Sequence, residues 1–410
     1  MKRTLATAIV LSLSALSLSC WRTQRHQGSN LWDMFFQSYS HLSTESERRY
    51  LLERFWKDVT KDGSPLIHEN GTDVSFLYRG VTESVKLTGD MTGWADHLPM
   101  ARLPGSDLFY ITRSFESEAR LDYKFILDNG EYILDPTNPR KAPGGYGENS
   151  ELVMPEFVQA KELKEDPSRP KGMLQTLIHF SEVLGYEHEI RIYLPADYQM
   201  SNNRYPVVYF QDGSDYINFA RVPTILDNVI EQTIPPVIGV LVVPPTSPER
   251  NRNTEYGMNN LYVKFFVEEL VPFIDENYRT LAKPNHRLVI GDSYGGLISL
   301  YIAFKHPELF GNAASQSGFV SFGSDSLIRE FRKSGKKPIN LYFDVGTYER
   351  SLGQTGNPEG DFLEANRRLE LVLKKARYVY EYKEFQGYHS WGWWRNTLPK
   401  ILHYFFAYRS

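Results

Sequence analysis

The pentapeptide Gly291-Asp292-Ser293-Tyr294-Gly295 has the G-x-S-x-G pattern of a serine that acts as a nucleophile. It follows a short apolar, β-prone run at residues 287–290 and precedes an apolar run at 297–304 that predicts a helix. A serine on such a sharp turn is strained, and side chains two residues to either side would collide with it or with the helix. We therefore predict that Ser293 is a nucleophile; a glycine-rich turn with an incidental serine is the alternative.

The base for this serine is expected among the histidines that follow it. A serine hydroxyl needs a base within hydrogen-bond reach, and in proteins with this kind of turn the chain order is serine, acid, histidine. His306 ends the helix after the serine, and His403 lies inside the pattern of the last helix. His389 alone follows a strand, and Gly387 allows the backbone to turn there. His389 is the predicted base, with a solvated loop histidine as the alternative.

A carboxylate must orient the histidine, and three acidic residues are candidates. Glu349 follows the strand predicted at residues 340–345, and catalytic groups of open α/β sheets collect beyond the carboxyl ends of strands. Asp344 is still within that strand pattern. Asp361 begins a helix, where the helix dipole favours a negative charge. Glu349 is the predicted acid, and Asp344 and Asp361 remain alternatives.

Two backbone N–H groups are needed to bind the negative charge that develops on the carbonyl oxygen. One is expected from Tyr294, the residue after the nucleophile. The other is expected from the loop at residues 211–215, which follows the strand predicted at 207–210. We predict the Ser214 amide, because Gly213 lets the chain turn toward the site; a glycine-containing turn without a role is the alternative.

The elements that must position these groups alternate between strand and helix from about residue 171 to the end. This alternation predicts a mostly parallel sheet with helices on both faces. Further strands are predicted at residues 188–194, 237–243 and 378–385, and helices at 222–231, 261–276, 359–375 and 397–408.

The preceding segment has short β runs instead, at residues 74–78, 84–87, 109–111 and 121–127. Asp128-Asn129-Gly130 predicts a hairpin after the last of these, and short strands at such spacing predict a β-sandwich. Ahead of them, Thr44 and Glu47 form a capping-box pattern for one amphipathic helix that packs on a neighbouring domain.

The amino terminus has the pattern of an export signal. Lys2 and Arg3 precede an apolar stretch at residues 5–18 that is too short to span a bilayer. Cys20, the only cysteine of the chain, lies where a bacterial lipoprotein signal places its lipidated cysteine, although Ser17 replaces the usual leucine. The resemblance implies an exported lipoprotein, anchored by lipid at the periplasmic face or the cell surface. An ordinary secreted protein is the alternative.

The composition bounds the remaining possibilities. The 410 residues allow two domains, and a net charge of −4 gives no basic surface for nucleic acid. We predict the domains to be a signal peptide (1–19), a lipidated tether with a helix (20–71), a β-sandwich (72–159), a linker (160–170) and a catalytic α/β domain (171–410).

From about residue 171 the chain resembles an esterase family of α/β-hydrolases that includes enterochelin esterases, feruloyl esterases, esterase D and bacterial mycolyltransferases. The matching motifs are, in order, residues 206–213, 234–238, Arg252 with Glu255-Tyr256, 269–274, 291–296, 315–318, 344–349 and 389–395. The resemblance implies a serine ester hydrolase without metal or cofactor. Its substrate would be a small-molecule or polysaccharide-linked ester. The family often has Asp where this chain has Glu349.

Residues 89–94 and 123–125, followed by 135–139, resemble the early-set immunoglobulin-like domains that precede some catalytic domains. The expected architecture is therefore an α/β-hydrolase domain preceded by a small all-β immunoglobulin-like sandwich. Near the histidine, Trp391, Trp394 and Arg395 are candidate substrate contacts, with core packing and an ion pair as alternatives. Acyl transfer on the same fold and an inactive glycan-binding surface lipoprotein are the alternative functions.

Overall fold

The computed structural model describes residues 31–145, 147–352 and 358–408. The predicted signal peptide and Cys20 lie outside the described residues, so both stay predictions. Within these ranges, the structure contains no helix of the length and apolar character needed to cross a membrane.

The described residues form strands and helices whose bounds follow here in chain order. The strands are β1 (Leu66–Ile67), β2 (Asp73–Arg79), β3 (Val85–Gly89), β4 (Leu98–Pro99), β5 (Ala101–Arg102), β6 (Leu108–Ser114), β7 (Arg120–Leu127), β8 (Tyr132–Ile133), β9 (Lys141–Ala142), β10 (Asn149–Val153), β11 (Met173–Ser181), β12 (Tyr186–Leu194), β13 (Val207–Phe210), β14 (Ile238–Val243), β15 (Arg287–Asp292), β16 (Asn312–Gln316), β17 (Asn340–Gly346) and β18 (Val379–Phe385). The helices are α1 (Leu31–His41), α2 (Glu45–Asp62), α3 (Gly213–Asn218), α4 (Val222–Val229), α5 (Arg252–Tyr256), α6 (Asn260–Lys264), α7 (Val271–Asn277), α8 (Tyr294–Lys305), α9 (Phe322–Lys333), α10 (Phe362–Lys375) and α11 (Trp391–Phe406). A π-helix (Phe265–Leu270) joins α6 to α7.

Strands β1 to β10 form two antiparallel sheets whose apolar faces share one core. One sheet has the order β1-β2-β6-β5, and the other has the order β4-β3-β7-β10-β9 with β8 paired to β7. Phe76 and Ile111 from the first sheet and Leu87 and Leu121 from the second are members of this core. Alternation of inward and outward side chains produces such a layer because successive residues of a strand face opposite sides.

Two helices pack on these amino-terminal sheets, whereas the sequence predicted one. The capping box of α2 is confirmed: the Thr44 hydroxyl accepts the Glu47 N–H, and the Glu47 carboxylate accepts the Thr44 N–H. The buried face of α2 includes Phe55, whose ring stacks on Phe35 of α1 at 4.0 Å. This face packs against residues of β2 and β6 such as Leu77.

Strands β11 to β18 form one sheet in the order β11-β12-β14-β13-β15-β16-β17-β18. From β14 onward in this order, each strand pairs in parallel with the next one. Strand β12 pairs antiparallel with both of its neighbours, β11 and β14. Apolar clusters fill both faces of the sheet, and the predicted α/β architecture is confirmed. Because β13 lies between β14 and β15, the chain changes direction across the sheet at this point, and a crevice at the carboxyl ends of these strands is the expected place for a site.

The last helix begins at Trp391 rather than at residue 397, where the sequence predicted its start. Ser390 precedes it in extended conformation, and its carbonyl accepts the N–H groups of Trp393 and Trp394. The apolar residues directly after His389 thus form the first turn of a helix instead of a loop. His389 is consequently held between the end of β18 and the start of α11.

Candidate active site

Ser293 stands at the carboxyl end of β15, directly before α8. Its φ of 54° and ψ of −119° are strained for a residue with a side chain. The Ser293 N–H donates to the carbonyl of Gln316, and the Ser293 carbonyl accepts the N–H of Phe319. The neighbouring strand and its following loop therefore hold the serine in the sharp turn that its sequence pattern predicts.

The glycines around Ser293 are required by close packing. A Cβ atom on Gly291 would lie 2.4 Å from the carbonyl carbon of Gly295, and one on Gly295 would lie 2.9 Å from Oδ2 of Asp212. A Cβ on Gly296 would lie 2.4 Å from Oγ of Ser315 in the next strand. The predicted collision with the helix is confirmed at Gly291, whereas a side chain at Gly295 would collide with Asp212 and not with Ser293 or the helix.

His389 and Glu349 are in direct contact. Nδ1 of His389 lies 2.8 Å from Oε2 of Glu349, which is fully buried. The other oxygen of Glu349 accepts hydrogen bonds from Oγ of Ser317 at 2.6 Å and from the N–H of Gly346 at 2.8 Å. The carboxylate is thus fixed by partners on both oxygens, and it can orient the imidazole in turn.

The two alternative acids occupy other positions. Oδ1 of Asp361 accepts the N–H of Glu364 at 2.9 Å, so Asp361 caps α10. Asp344 is fully buried in β17, and this burial, with the nearby negative charge of Glu349, raises the pKa of Asp344 to about 7. Of the three candidates, Glu349 is the one whose carboxylate lies within hydrogen-bond distance of the His389 ring among the described residues.

Aromatic rings hold the imidazole of His389 on two sides. The Phe362 ring stacks on it, with 5.2 Å between the ring centroids and 8° between the ring planes. The Trp394 ring meets it edge-on, with 4.8 Å between the centroids. Nε1 of Trp394 also donates to Oγ of Ser317, the residue that supports Glu349. Trp394, a predicted substrate contact, is therefore placed where it orients the histidine and the acid together.

Ser293 and His389 follow strands β15 and β18, at the carboxyl ends of the parallel strands of one sheet, with β16 and β17 between them. Phe319, whose N–H binds the Ser293 carbonyl, packs against Phe362, which stacks on His389. Among the described residues, no hydrogen bond links Oγ of Ser293 to the His389 ring. In enzymes without substrate this hydrogen bond is often long, and it shortens when substrate binds.

The predicted oxyanion donors lie at the starts of two helices that follow adjacent strands. Tyr294 is the first residue of α8, and Ser214 is the second residue of α3. The first N–H groups of a helix have no intrahelical acceptor, so they can bind an anion. The reason given for Gly213 was wrong: Asp212 makes the turn with a φ of 52°, and Gly213 is needed because a Cβ there would lie 2.5 Å from the Leu241 backbone.

Arg252 connects these two turns, and sequence analysis assigned it no role. Its Nε and Nη2 atoms each lie 2.8 Å from an oxygen of Asp212, and Nη2 also lies 3.6 Å from Oδ2 of Asp292. Burial raises the pKa of Asp292, and the charge of Asp212 raises it further. Asp292 ends the buried strand β15, and Asp212 lies two residues after the buried strand β13; two acids at such places were the signal that a cation must pair with them.

The other two predicted substrate contacts are also engaged elsewhere. Trp391 is buried, and its ring meets Tyr216 edge-on at 5.2 Å. Nη2 of Arg395 lies 3.7 Å from Oε1 of Glu151, and burial together with the charge of Arg120 lowers the pKa of Arg395. These contacts favour the core-packing and ion-pair alternatives for Trp391 and Arg395.

A groove of about 1020 Å³ lies at the opposite, amino-terminal end of the parallel strands. Its lining includes Asn312 and Asn340, which begin β16 and β17, and Tyr205, which lies just before β13. None of the predicted site residues lines it. The size of this groove therefore gives no information about the proposed catalytic crevice.

Comparisons with known proteins show the family of this chain. Residues 181–405 match the family model described as "Putative esterase". The chain is 32% identical over 236 residues to the uncharacterized protein YjcH of Bacillus subtilis, a match that covers 56% of this chain and 96% of that protein. It is 25% identical over 371 residues to the iron(III) enterobactin esterase of Escherichia coli K12, which covers 87% of each chain.

The fold is also found among solved structures. A crystal structure of ferric enterobactin esterase from Salmonella typhimurium superposes with a TM-score of 0.72 at 20% identity, covering 86% of this chain and 98% of that one. The superposition covers a larger part of the chain than residues 181–405, which match the family model. The shared fold therefore extends into the amino-terminal region.

Proposed function

Since the chain belongs to the esterase family and is a carboxylic-ester hydrolase, we propose that it acts through a Ser293–His389–Glu349 triad and an acyl-enzyme intermediate. The observation that carries this proposal is the 2.8 Å contact between Nδ1 of His389 and Oε2 of Glu349, at the sheet edge where Ser293 occupies its strained turn. At family level the enzyme is an esterase of the enterobactin and feruloyl esterase type.

In the first half of the proposed reaction, Oγ of Ser293 attacks the carbonyl carbon of the ester while Nε2 of His389 accepts the hydroxyl proton. The Glu349 carboxylate stabilises the resulting imidazolium through Nδ1–H. The N–H groups of Tyr294 and Ser214 bind the oxyanion of the tetrahedral intermediate. When the intermediate collapses, the bond to the alcohol oxygen breaks, and the alcohol leaves with the proton from His389.

In the second half, water replaces the alcohol. Nε2 of His389 accepts a proton from the water as its oxygen attacks the acyl carbon on Ser293. The second tetrahedral intermediate then expels the Ser293 oxygen, which takes back the proton from His389. The products are a carboxylic acid and the free enzyme, so the cycle requires no metal or cofactor.

The amino-terminal part of the chain is the subject of two further proposals, one on its fold and one on the location of the enzyme. We propose that the sheets of β1 to β10 form an immunoglobulin-like sandwich, which is supported by their shared core and by the sequence motif at residues 89–94. We also propose that Cys20 is lipidated and anchors the exported enzyme to a membrane. Labelling with radioactive palmitate, and its loss in Cys20→Ser, tests the anchor.

A substrate panel tests the enzymatic proposal. The chain from Arg25 onward is assayed with p-nitrophenyl acetate, followed by catecholate-siderophore, feruloyl and acetyl-xylan esters. We expect turnover that Ser293→Ala lowers by several orders of magnitude. An equal rate for Ser293→Ala would exclude Ser293 as the nucleophile. If the wild-type enzyme hydrolysed none of these esters, that result would contradict the proposed function.

A further inference from the structure

Arg120 belongs to the amino-terminal sheets, yet it binds both sides of the loop that carries His389. We call residues 386–390 the histidine loop. The Arg120 N–H donates to the carbonyl of Gln386 at 3.1 Å, and Nη1 donates to Oγ of Ser390 at 3.0 Å. The Arg120 carbonyl also accepts Nε1 of Trp393, in the first turn of α11, at 3.0 Å. A single residue thus holds the loop before and after the histidine.

The guanidinium of Arg120 is itself held in place. It is 1% exposed and forms ion pairs with Asp122 at 2.8 Å and with Glu151 at 2.7 Å. Both acids lie on the same sheet as Arg120, in β7 and β10. A buried charge with such partners is costly to displace, because movement leaves charges unpaired in the interior. The amino-terminal sheets therefore present the guanidinium to the histidine loop in a fixed orientation.

Two glycines of the catalytic part allow Arg120 and the histidine loop to approach each other closely. A Cβ atom on Gly392 would lie 1.9 Å from Cζ of Arg120, so only glycine allows the guanidinium to lie against α11 at this point. A Cβ on Gly387 would lie 1.8 Å from Nε1 of Trp393, the atom that binds the Arg120 carbonyl. Two glycines on either side of His389 thus make the close approach possible.

We propose that Arg120 is a positioning residue for the catalytic base, so that the amino-terminal sheets are part of the catalytic apparatus. The inference rests on the proposed function, because it requires His389 to be the base. Arg120 acts through the hydrogen bonds that place the histidine loop, and it does not touch the substrate. A small displacement of a catalytic group lowers the chemical rate more than it lowers binding.

Four variants separate positioning from simple attachment of the two parts. Arg120→Met removes the charge and its hydrogen bond to Ser390. Ser390→Ala and Trp393→Phe each remove, from the catalytic part, one hydrogen bond to Arg120. Arg79→Met is the control for loss of an ion-paired arginine from the amino-terminal part. Arg79 pairs with Glu53 and Asp107, in a more exposed setting than Arg120, and among the described residues it has no hydrogen bond to the histidine loop. For each variant kcat, KM, the melting temperature and the rate of labelling by a fluorophosphonate are measured.

We expect Arg120→Met to lower kcat about 100-fold with KM changed by less than about threefold. Ser390→Ala and Trp393→Phe are expected to lower kcat about tenfold each, with slower fluorophosphonate labelling, while Arg79→Met keeps the wild-type kcat. Wild-type kcat in folded Ser390→Ala and Trp393→Phe would overturn the proposal, and these variants decide it if Arg120→Met does not fold. Failure of the proposed function would appear separately, as wild-type activity in Ser293→Ala.

Discussion

Nδ1 of His389 lies 2.8 Å from Oε2 of Glu349, and this carboxylate has partners on its other oxygen as well. Ser317 and the Gly346 N–H donate to Oε1, so rotation of the carboxylate would break several hydrogen bonds at once. The arrangement keeps the proton of a neutral imidazole on Nδ1. Nε2 is then left as the acceptor that a serine nucleophile requires.

Glu349→Gln is expected to lower kcat about 10⁴-fold, with the protein still folded. Because two donors point at Oε1, the amide oxygen of glutamine takes that position and its NH₂ group faces Nδ1. The imidazole is then driven to the wrong tautomer, with its proton on Nε2. Turnover of p-nitrophenyl acetate measures the effect. Asp361→Asn is the control, since asparagine caps a helix as well as aspartate does; equal loss in both variants would argue against Glu349 as the acid.

Ser317→Ala tests the support of the acid. The variant removes a donor to Glu349 and leaves Nε1 of Trp394 without its buried acceptor. We expect about tenfold lower kcat and about 1–3 kcal/mol lower free energy of unfolding. Urea denaturation and steady-state kinetics on the same preparation give both values. Unchanged kcat and stability would show that the Glu349 position does not depend on Ser317.

Sequence reasoning located the strand–serine–helix turn because close packing allows only glycine at several of its positions. The requirement at Gly291 is local, because a Cβ there would meet the backbone of Gly295, and so it is visible in a short pattern; the requirement at Gly295 comes from Asp212 and depends on the tertiary fold. The capping box at Thr44 is local in the same way. His389 and Glu349 could be selected by their places after strands, although their contact joins segments that only the folded sheet brings together.

Other features depended on tertiary contacts and were missed. Strand β16 has the sequence Asn-Ala-Ala-Ser-Gln, which lacks the β-branched and aromatic residues typical of strands. It is a strand because it lies between β15 and β17, and its small side chains admit the close approach of Gly296. The contacts of Arg252 and Arg120 likewise join distant segments, so the local spacing of residues could not identify either arginine as the partner.

Arg252→Met tests the connection between the two oxyanion turns. The variant leaves Asp212 and Asp292 buried without their cation, and breaking a buried pair in this way costs about 3–5 kcal/mol. We expect a lower urea midpoint together with lower kcat. Arg252→Lys keeps the charge but cannot contact both oxygens of Asp212, so an intermediate result is expected. A variant as stable as the wild type would contradict this account of Arg252.

Asp344 gives the fold a dependence on pH. Because burial raises its pKa from 3.8 to about 7, the folded protein keeps a proton that the unfolded chain loses in this interval. Stability from this group is therefore full below pH 3.8 and decreases, by a few kcal/mol, as pH rises to about 7. Asp344→Asn removes the titration. The difference in unfolding free energy between variant and wild type should grow in favour of the variant from pH 4 to 7, and a constant difference would contradict the assignment.

The central claim is that Ser293 carries the acyl group during turnover. A slowly hydrolysed ester is mixed with the enzyme, the reaction is quenched with acid in the steady state, and the peptides are analysed by mass spectrometry. The account predicts the acyl mass on the peptide that contains Ser293, and its absence in Ser293→Ala. An acyl group on another residue, or rapid hydrolysis by Ser293→Ala, would contradict it.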